Sequence, residues 1–242
     1  MTLVVDHLTG GYGRLPVIKD ESFTVQNGET VGLIGLNGAG KSTTIKHIIG
    51  LLQPQQGQIK LDDIDLKQDI TAYRSQIAYV PELPVLYPEL TLKEHLELTM
   101  MAYNLDEQAT WQQAHQLLQT FRLDDKLNWF PINFSKGMKQ KVMIVCAFIT
   151  QAKLFIVDEP FTGLDPLAVQ DLLDLVQAKK QAGAAVLMST HILANAEQSA
   201  DRFILLNHGQ VRAQGTLPQI KEQFGAQDDN LNDLYLRMSK EA

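Results

Sequence analysis

At 242 residues, 45% hydrophobic and 20% charged, the chain has enough material for one large or two small domains with a full core. A formal net charge of −7 argues against non-specific attraction to nucleic acid or anionic lipid. One cysteine excludes an internal disulfide and suits a reducing compartment.

Taken in order, the opening residues Met1 to Asp6 carry no signal-peptide pattern. Leu3 to Leu8 and Ser22 to Val25 are short apolar-rich runs that predict strands, with Gly10-Gly11-Tyr12-Gly13 between them as a flexible loop bearing an aromatic ring. Thr30 to Ile34 has the unbroken apolar character of a buried parallel strand, and Ser42 to Ile49 predicts a helix with Ile45, Ile48 and Ile49 on one face. Pro54-Gln55-Gln56-Gly57 predicts a turn, and Gln58 to Leu61 and Ile77 to Val80 predict strands.

From Leu92 to Ile149 the strand pattern disappears. Thr91 with Glu94 predicts a capping box for a helix from Leu92 to Tyr103, Asp106 to Phe121 has helical spacing, and Ser135 can cap a third helix through Ile149. Cys146 lies in the apolar run of that third helix and reads as an inert core thiol. Strand and helix then alternate again: Leu154 to Val157, Pro166 to Ala182, Ala185 to Met188, and a helix from Ile192. His208-Gly209 predicts a hairpin between Arg202–Asn207 and Gln210–Gly215. Leu231, Leu234, Tyr235 and Met238 form the stripe of a short terminal helix. No apolar run approaches the ~20 residues that span a bilayer, so a membrane role would need another anchor.

The chemistry is concentrated between the Thr30 strand and the Ser42 helix. Gly35-Leu36-Asn37-Gly38-Ala39-Gly40-Lys41-Ser42-Thr43 matches G-x-x-x-x-G-K-[ST] in the strand–turn–helix setting that motif requires. Glycines let successive N–H groups turn onto phosphate oxygens, and the helix N-terminus adds its positive dipole end. Lys41 is expected to reach the β- and γ-phosphates, and the Ser42 hydroxyl to bind Mg²⁺. An ordinary glycine turn with an exposed lysine would not need the full match. Asp158 and Glu159 end the strand from Leu154; Asp158 fits a magnesium shell, and Glu159 fits a general base that takes a proton from water.

Three further stretches extend the pattern: Phe134-Ser135-Lys136-Gly137-Met138-Lys139-Gln140, Thr162-Gly163-Leu164-Asp165, and Ser189-Thr190-His191. With the phosphate loop, the two acids and Tyr12, they make the chain resemble the ATP-binding subunits of ABC transporters over nearly its whole length. The resemblance implies an α/β phosphate-loop NTPase with a mostly parallel core sheet, an antiparallel β part and an inserted helical subdomain. It implies one domain, with 1–81 and 153–215 as nucleotide-binding core, 82–152 as helical subdomain and 216–242 as helical tail. It implies that Tyr12 stacks on adenine, that Ser135 and Gly137 meet the γ-phosphate of a second subunit, that Asp165 belongs to the D-loop and with it to the nucleotide-binding residues, and that His191 contacts the γ-phosphate. The Ser135 helix N-terminus agrees physically, because it is a second anion site in a chain whose own phosphate loop already has one.

Glu82 stands where the family usually has glutamine. Its carboxylate can bind Mg²⁺ through oxygen but cannot donate a hydrogen bond when ionised. Lys136 and Met138 replace the usual glycine and glutamine, while Ser135 and Gly137 are kept.

The expected function is therefore ATP hydrolysis, with ATP and Mg²⁺, powering transport through transmembrane subunits on separate chains. Localisation at the cytoplasmic face of the membrane, an ATP-dependent homodimer or pairing with a like subunit, and no nucleic-acid partner complete the expectation. The wording around Glu82 and Ser135 resembles exporter-type systems. A soluble ATPase of ribosomes or DNA would be expected to carry two halves or a coiled coil, and a small-molecule kinase leaves Ser135–Gly137 and His191 unexplained. The apolar, proline-rich segment Leu83 to Pro88 is the expected dock for the membrane partner, whereas Leu92, Leu96 and Leu98 can equally fold onto the core.

Overall fold

The computed structural model describes residues 2–226 and 228–240. Two sheets share one body. The first is antiparallel and is built from β1 (Leu3–Gly10), β2 (Ile18–Val25), β4 (Gln56–Leu61) and β5 (Ile64–Asp65) in the order β2-β1-β4-β5. The second holds β3 (Thr30–Ile34), β6 (Ile77–Val80), β7 (Leu154–Asp158), β8 (Ala185–Thr190), β9 (Arg202–Asn207) and β10 (Gln210–Gly215) in the order β10-β9-β3-β8-β7-β6. Every pairing in it is parallel except β9 with β10, which form the hairpin around His208-Gly209.

β3, β7 and β8 are buried along their whole length, as expected of central parallel strands covered on both faces. Their period of two sorts the side chains between two cores. Leu154, Ile156, Ala185 and Leu187 join Val31 and Leu33 on the face covered by α1 (Lys41–Ile48) and the antiparallel sheet. Phe155, Val157, Val186 and Met188 point the other way, into the core of the helical block.

That block consists of α3 (Leu92–Ala102), α4 (Glu107–Phe121) and α5 (Lys136–Phe148), joined by α6 (Pro166–Gln181). Its caps follow the sequence closely. Thr91 and Glu94 form the full capping box, Asp106 accepts the Ala109 N–H, and Ser135 accepts the Met138 N–H at 3.2 Å. Leu92 and Leu96 are fully buried in this core, so they hold the block together and leave no groove of their own.

A third core lies under the far end of β3 and β9. It is closed by α7 (Leu193–Ser199), α8 (Leu217–Gln223) and α9 (Leu231–Lys240), with Leu231, Leu234, Tyr235 and Met238 facing inward. The sequence predicts neither helix α2 (Ile70–Ser75) nor β5, and α8 falls within the expected helical tail without being marked as a helix of its own. The expected turn at Pro54 to Gly57 is shortened, because β4 already begins at Gln56, paired with Thr9. There β1 is irregular between Asp6 and Thr9, His7 has a φ of 49°, and Gly57 (φ 84°) lies against the Asp6 and His7 carbonyls, where no Cβ would fit.

Candidate functional site

The carboxyl ends of four neighbouring strands open on one crevice, the position where open α/β sheets hold ligands. β3 delivers Gly35, β8 delivers His191, β7 delivers Asp158 and Glu159, and β6 delivers Glu82. A cavity of about 430 Å³ lies there, lined by Val17, Leu36, Asn37, Gly38, Gly40, Lys41, Ser42, Thr43, Glu82, Glu159, Thr162 and His191.

The loop from Gly35 wraps one wall. Gly38 (φ 85°) and Gly40 (φ 114°) adopt left-handed backbone, which glycine takes without strain, and Gly40 leads into α1. Gly35 is glycine for a different reason, since a Cβ there would approach the Ala39 Cβ to 2.7 Å and the Leu206 carbonyl to 3.0 Å. Ala39 is buried and its carbonyl accepts the Gly209 N–H at 2.9 Å, so it braces the loop from behind.

Lys41 is almost dry, and its Nζ donates to the Gly35 carbonyl at 2.7 Å while lying 3.2 Å from Glu159 Oε1. The other oxygen of Glu159 lies 2.8 Å from His191 Nδ1 and accepts the His191 N–H at 3.2 Å. One carboxylate thus spans the lysine and the histidine. A buried ammonium without a counter-ion would be costly, and Glu159 offsets part of that cost. Glu159 reaches this place with a φ of 46°, a left-handed conformation uncommon for a side chain of its size. Its N–H donates to Ser189 Oγ at 3.0 Å, which holds the turn.

Asp158 sits deeper, with Oδ1 accepting the Ser189 hydroxyl at 2.5 Å and Oδ2 lying 3.5 Å from the Tyr79 hydroxyl. Burial pushes its carboxyl above the usual carboxylate range, the Ser189 hydrogen bond opposes this, and the charges of Glu82 and Glu159 add to the rise. A cation at the cavity floor would reverse that balance. Ser42, Asp158 and Glu82 are oxygen donors of the hard kind magnesium prefers. Among the described residues no group of three or more His, Cys, Asp or Glu is placed to hold a metal alone. That donor set fits an ion that completes its shell with water and substrate phosphate.

The remaining expected site residues lie elsewhere. Tyr12 is exposed outside the cavity, and its hydroxyl accepts from Lys46 of α1 at 2.9 Å, the contact that lowers its pKa. Ser135 is exposed at the start of α5, and Gly137 is pressed against the Gly163 carbonyl, so close that no side chain would fit. Asp165 caps α6 through the Ala168 N–H at 2.9 Å and pairs with Lys141 at 2.7 Å, which holds its carboxyl low. None of these four lines the cavity of its own chain. Val17 and Thr162 do line it, without having been singled out as site residues. Thr162 stands within a stretch whose neighbour Asp165 drew the attention, and nothing in the sequence around Val17 marks it.

A phosphate loop, a strand-end acid pair and a histidine at the next strand end define a nucleotide-hydrolysing site on a phosphate-loop fold. Residues 18–162, more than half of the chain, match the ABC transporter family, and the chain belongs to that family as an ATP-binding, ATP-hydrolysing subunit. It is 57% identical over 239 residues to the ABC-type transporter ATP-binding protein EcsA of Bacillus subtilis, covering 99% of this chain and 97% of EcsA. It is 34% identical to the SkfA peptide export ATP-binding protein SkfE of the same organism, covering 90% and 91% of the two chains. Among solved structures, the ATP-binding subunit of an ABC transporter superposes with a TM-score of 0.96 at 52% identity, covering 98% of this chain and 99% of the other. Among the described residues no helix is long and apolar enough to cross a membrane.

Proposed function

We propose that the cavity between β3 and β6 binds the phosphates of ATP, and that Glu159 is the base that activates water. The observation that carries this is the Glu159 carboxylate itself, held between Lys41 and His191 where a transferred phosphate needs its cation and its hydrogen-bond donor. The N–H groups of Gly35 to Thr43 cradle the phosphate chain, and Lys41 exchanges Glu159 for phosphate oxygen. That exchange frees the carboxylate to accept a proton from water and leaves His191 to donate to the γ-phosphate. Ser42, Asp158 and Glu82 would hold Mg²⁺, and the ion would supply positive charge against the phosphates. Tyr12, clamped by Lys46, offers its exposed ring to adenine.

Lys41→Ala tests the site directly. Removing the cation should weaken ATP binding at least tenfold in calorimetry, and unchanged affinity would move the phosphates elsewhere.

We further propose that the functional unit is a pair of such subunits, in which Ser135 and Gly137 of one close on the ATP of the other. Support comes from their place outside the lining of the chain's own cavity and from the exposure of Ser135 at a helix N-terminus. The working division is 1–81 with 153–215 as nucleotide-binding core, 82–152 as helical subdomain and 216–242 as tail. Separate transmembrane subunits supply the transport path and hold the chain at the cytoplasmic face of the membrane. The likeness to SkfE, whose name is that of a peptide-export protein, favours outward transport. Coupling runs through Glu82, since the adjacent Pro81 carbonyl accepts from Gln140 of α5 at 3.1 Å and so ties the cavity edge to the helical block.

A further inference from the structure

The first peptide unit of the phosphate loop, between Gly35 and Leu36, is gripped at both poles. Its carbonyl oxygen accepts the Lys41 ammonium at 2.7 Å. Its N–H donates at 2.7 Å to the hydroxyl of Tyr235, which stands 199 residues further along the chain on α9. That hydroxyl donates in turn to the Leu206 carbonyl at 3.1 Å, the same oxygen that a Cβ on Gly35 would approach to 3.0 Å.

The Tyr235 ring is 2% exposed, and its place is set by the packing of Leu231, Leu234 and Met238 against Ile34, Phe203 and Leu205. The same helix meets α7, the helix after His191, where the Leu231 N–H lies 3.4 Å from Glu197 Oε1. The tail therefore touches the structural supports of both the phosphate loop and the histidine.

We infer that Tyr235 is a positioning residue for ATP binding, acting through the Gly35–Leu36 peptide on Lys41. This rests on the reading that Lys41 binds the ATP phosphates. The dihedrals on either side of this peptide are the Gly35 ψ, which no Cβ restricts, and the Leu36 φ, and their counter-rotation swings the peptide about its own axis. Rotation would turn the Gly35 carbonyl away from the ammonium. In the ligand-free protein Glu159 would still hold Lys41. Once phosphate displaces Glu159, the Gly35 carbonyl is the remaining protein group that aims the lysine, and the Tyr235 hydroxyl keeps that carbonyl in place. Helix α9 thus completes the nucleotide site from behind, without touching nucleotide.

Tyr235→Phe keeps the ring and removes the one oxygen. ATP titrated into the wild type and the variant should show an affinity lower by roughly 3- to 10-fold in the variant, the usual worth of one hydrogen bond. In a Lys41→Met background the same change should cost nothing further, because the group it aims is gone. Additive losses would reduce Tyr235 to a packing residue and overturn the inference. So would an unchanged affinity in Tyr235→Phe when the wild type binds ATP. Amide hydrogen exchange on the unmutated protein gives a check that needs no variant: the Leu36 N–H should exchange slowly with or without ATP, and fast exchange overturns the inference. If the wild type fails to bind ATP at all, the reading of the site itself falls first.

Discussion

At the scale of single residues, Glu159 has to serve two states. Without nucleotide it neutralises Lys41 and accepts from His191, and the proposed mechanism requires it to release both when nucleotide is bound so that it can meet a water. Glu159→Gln removes the base and the competing charge together. Turnover measured by phosphate release should fall by about 10²–10⁴-fold while ATP affinity is kept, and near-normal turnover would remove Glu159 from the chemistry. This residue, Asp158 and Lys41 were legible because each sits at a fixed offset from a strand end. Tyr235 was not, because the sequence shows only its place in a helical stripe and its hydrogen-bond partner lies in a segment with no pattern in common. Glu21 was equally silent. It lies on β2 with no exposed surface, one oxygen accepting the Thr44 hydroxyl at 2.8 Å and the other without a partner among the described residues. Burial pushes its carboxyl up to about 8, with the Thr44 bond opposing. The folded protein therefore holds a proton that the unfolded chain releases above its ordinary carboxylate pKa. Stability from this group is full below about 4.5 and declines as pH rises toward 8, by roughly 1.4 kcal/mol for each pH unit of that window. Glu21→Gln should remove that decline, read as a smaller difference in urea midpoint between pH 5 and pH 8 than the wild type shows.

At the scale of elements, caps and turns carried most of the legible information. Helices α3 and α5 begin at the residues predicted for their caps, because a side-chain oxygen and a free N–H three positions later are a local arrangement, and α4 begins one residue into the stretch predicted from its helical spacing. β5 spans two residues and α2 six, too short for periodicity to stand out, and α8 hides its capping box, Thr216 with Gln219, behind a hairpin. The segment after Glu82 shows where local reading stops. Val85 and Tyr87 are exposed, 73% and 60%, but Leu86 turns inward and packs on the core of the helical block. The loop is fastened from beneath, since the Tyr87 N–H donates to His95 Nε2 at 2.9 Å and His95 Nδ1 lies 2.7 Å from the Thr91 carbonyl. Val85 and Tyr87, with the exposed Leu83 before them, are therefore displayed beside a fastened backbone. Val85→Asp and Tyr87→Asp are expected to release the subunit from the membrane fraction while ATP binding stays intact. Leu86→Asp would also unsettle the helical block, so it is the poorer probe. Unchanged membrane association in both surface variants would place the dock elsewhere.

At the scale of the whole molecule, the α5 N-terminus and the cavity at β3 belong to different places on one chain, and the proposed pairing would bring one subunit's helix to the other's cavity. With Glu159→Gln, Mg²⁺ and ATP, light scattering is expected to show a dimer that ADP does not support. Ser135→Arg should prevent it by placing a bulky side chain at the γ-phosphate. A monomer under every nucleotide condition, even with the membrane subunit present, would count against the shared site. The sequence predicts a mostly parallel sheet but contains no statement of strand order, because each buried strand is an interchangeable apolar run and only long-range packing chooses its neighbours. That order has a consequence for how the protein is made. β3 is flanked by β8 and β9, and both are encoded after residue 184. A nascent chain that has already exposed Thr30–Ile34 and its glycine loop must wait for more than half of its length before either edge can be paired. At ordinary elongation speed this is on the order of ten to thirty seconds. Throughout that interval a strand that ends fully buried at the nucleotide site is an open edge on the ribosome, where a holding chaperone would find its target.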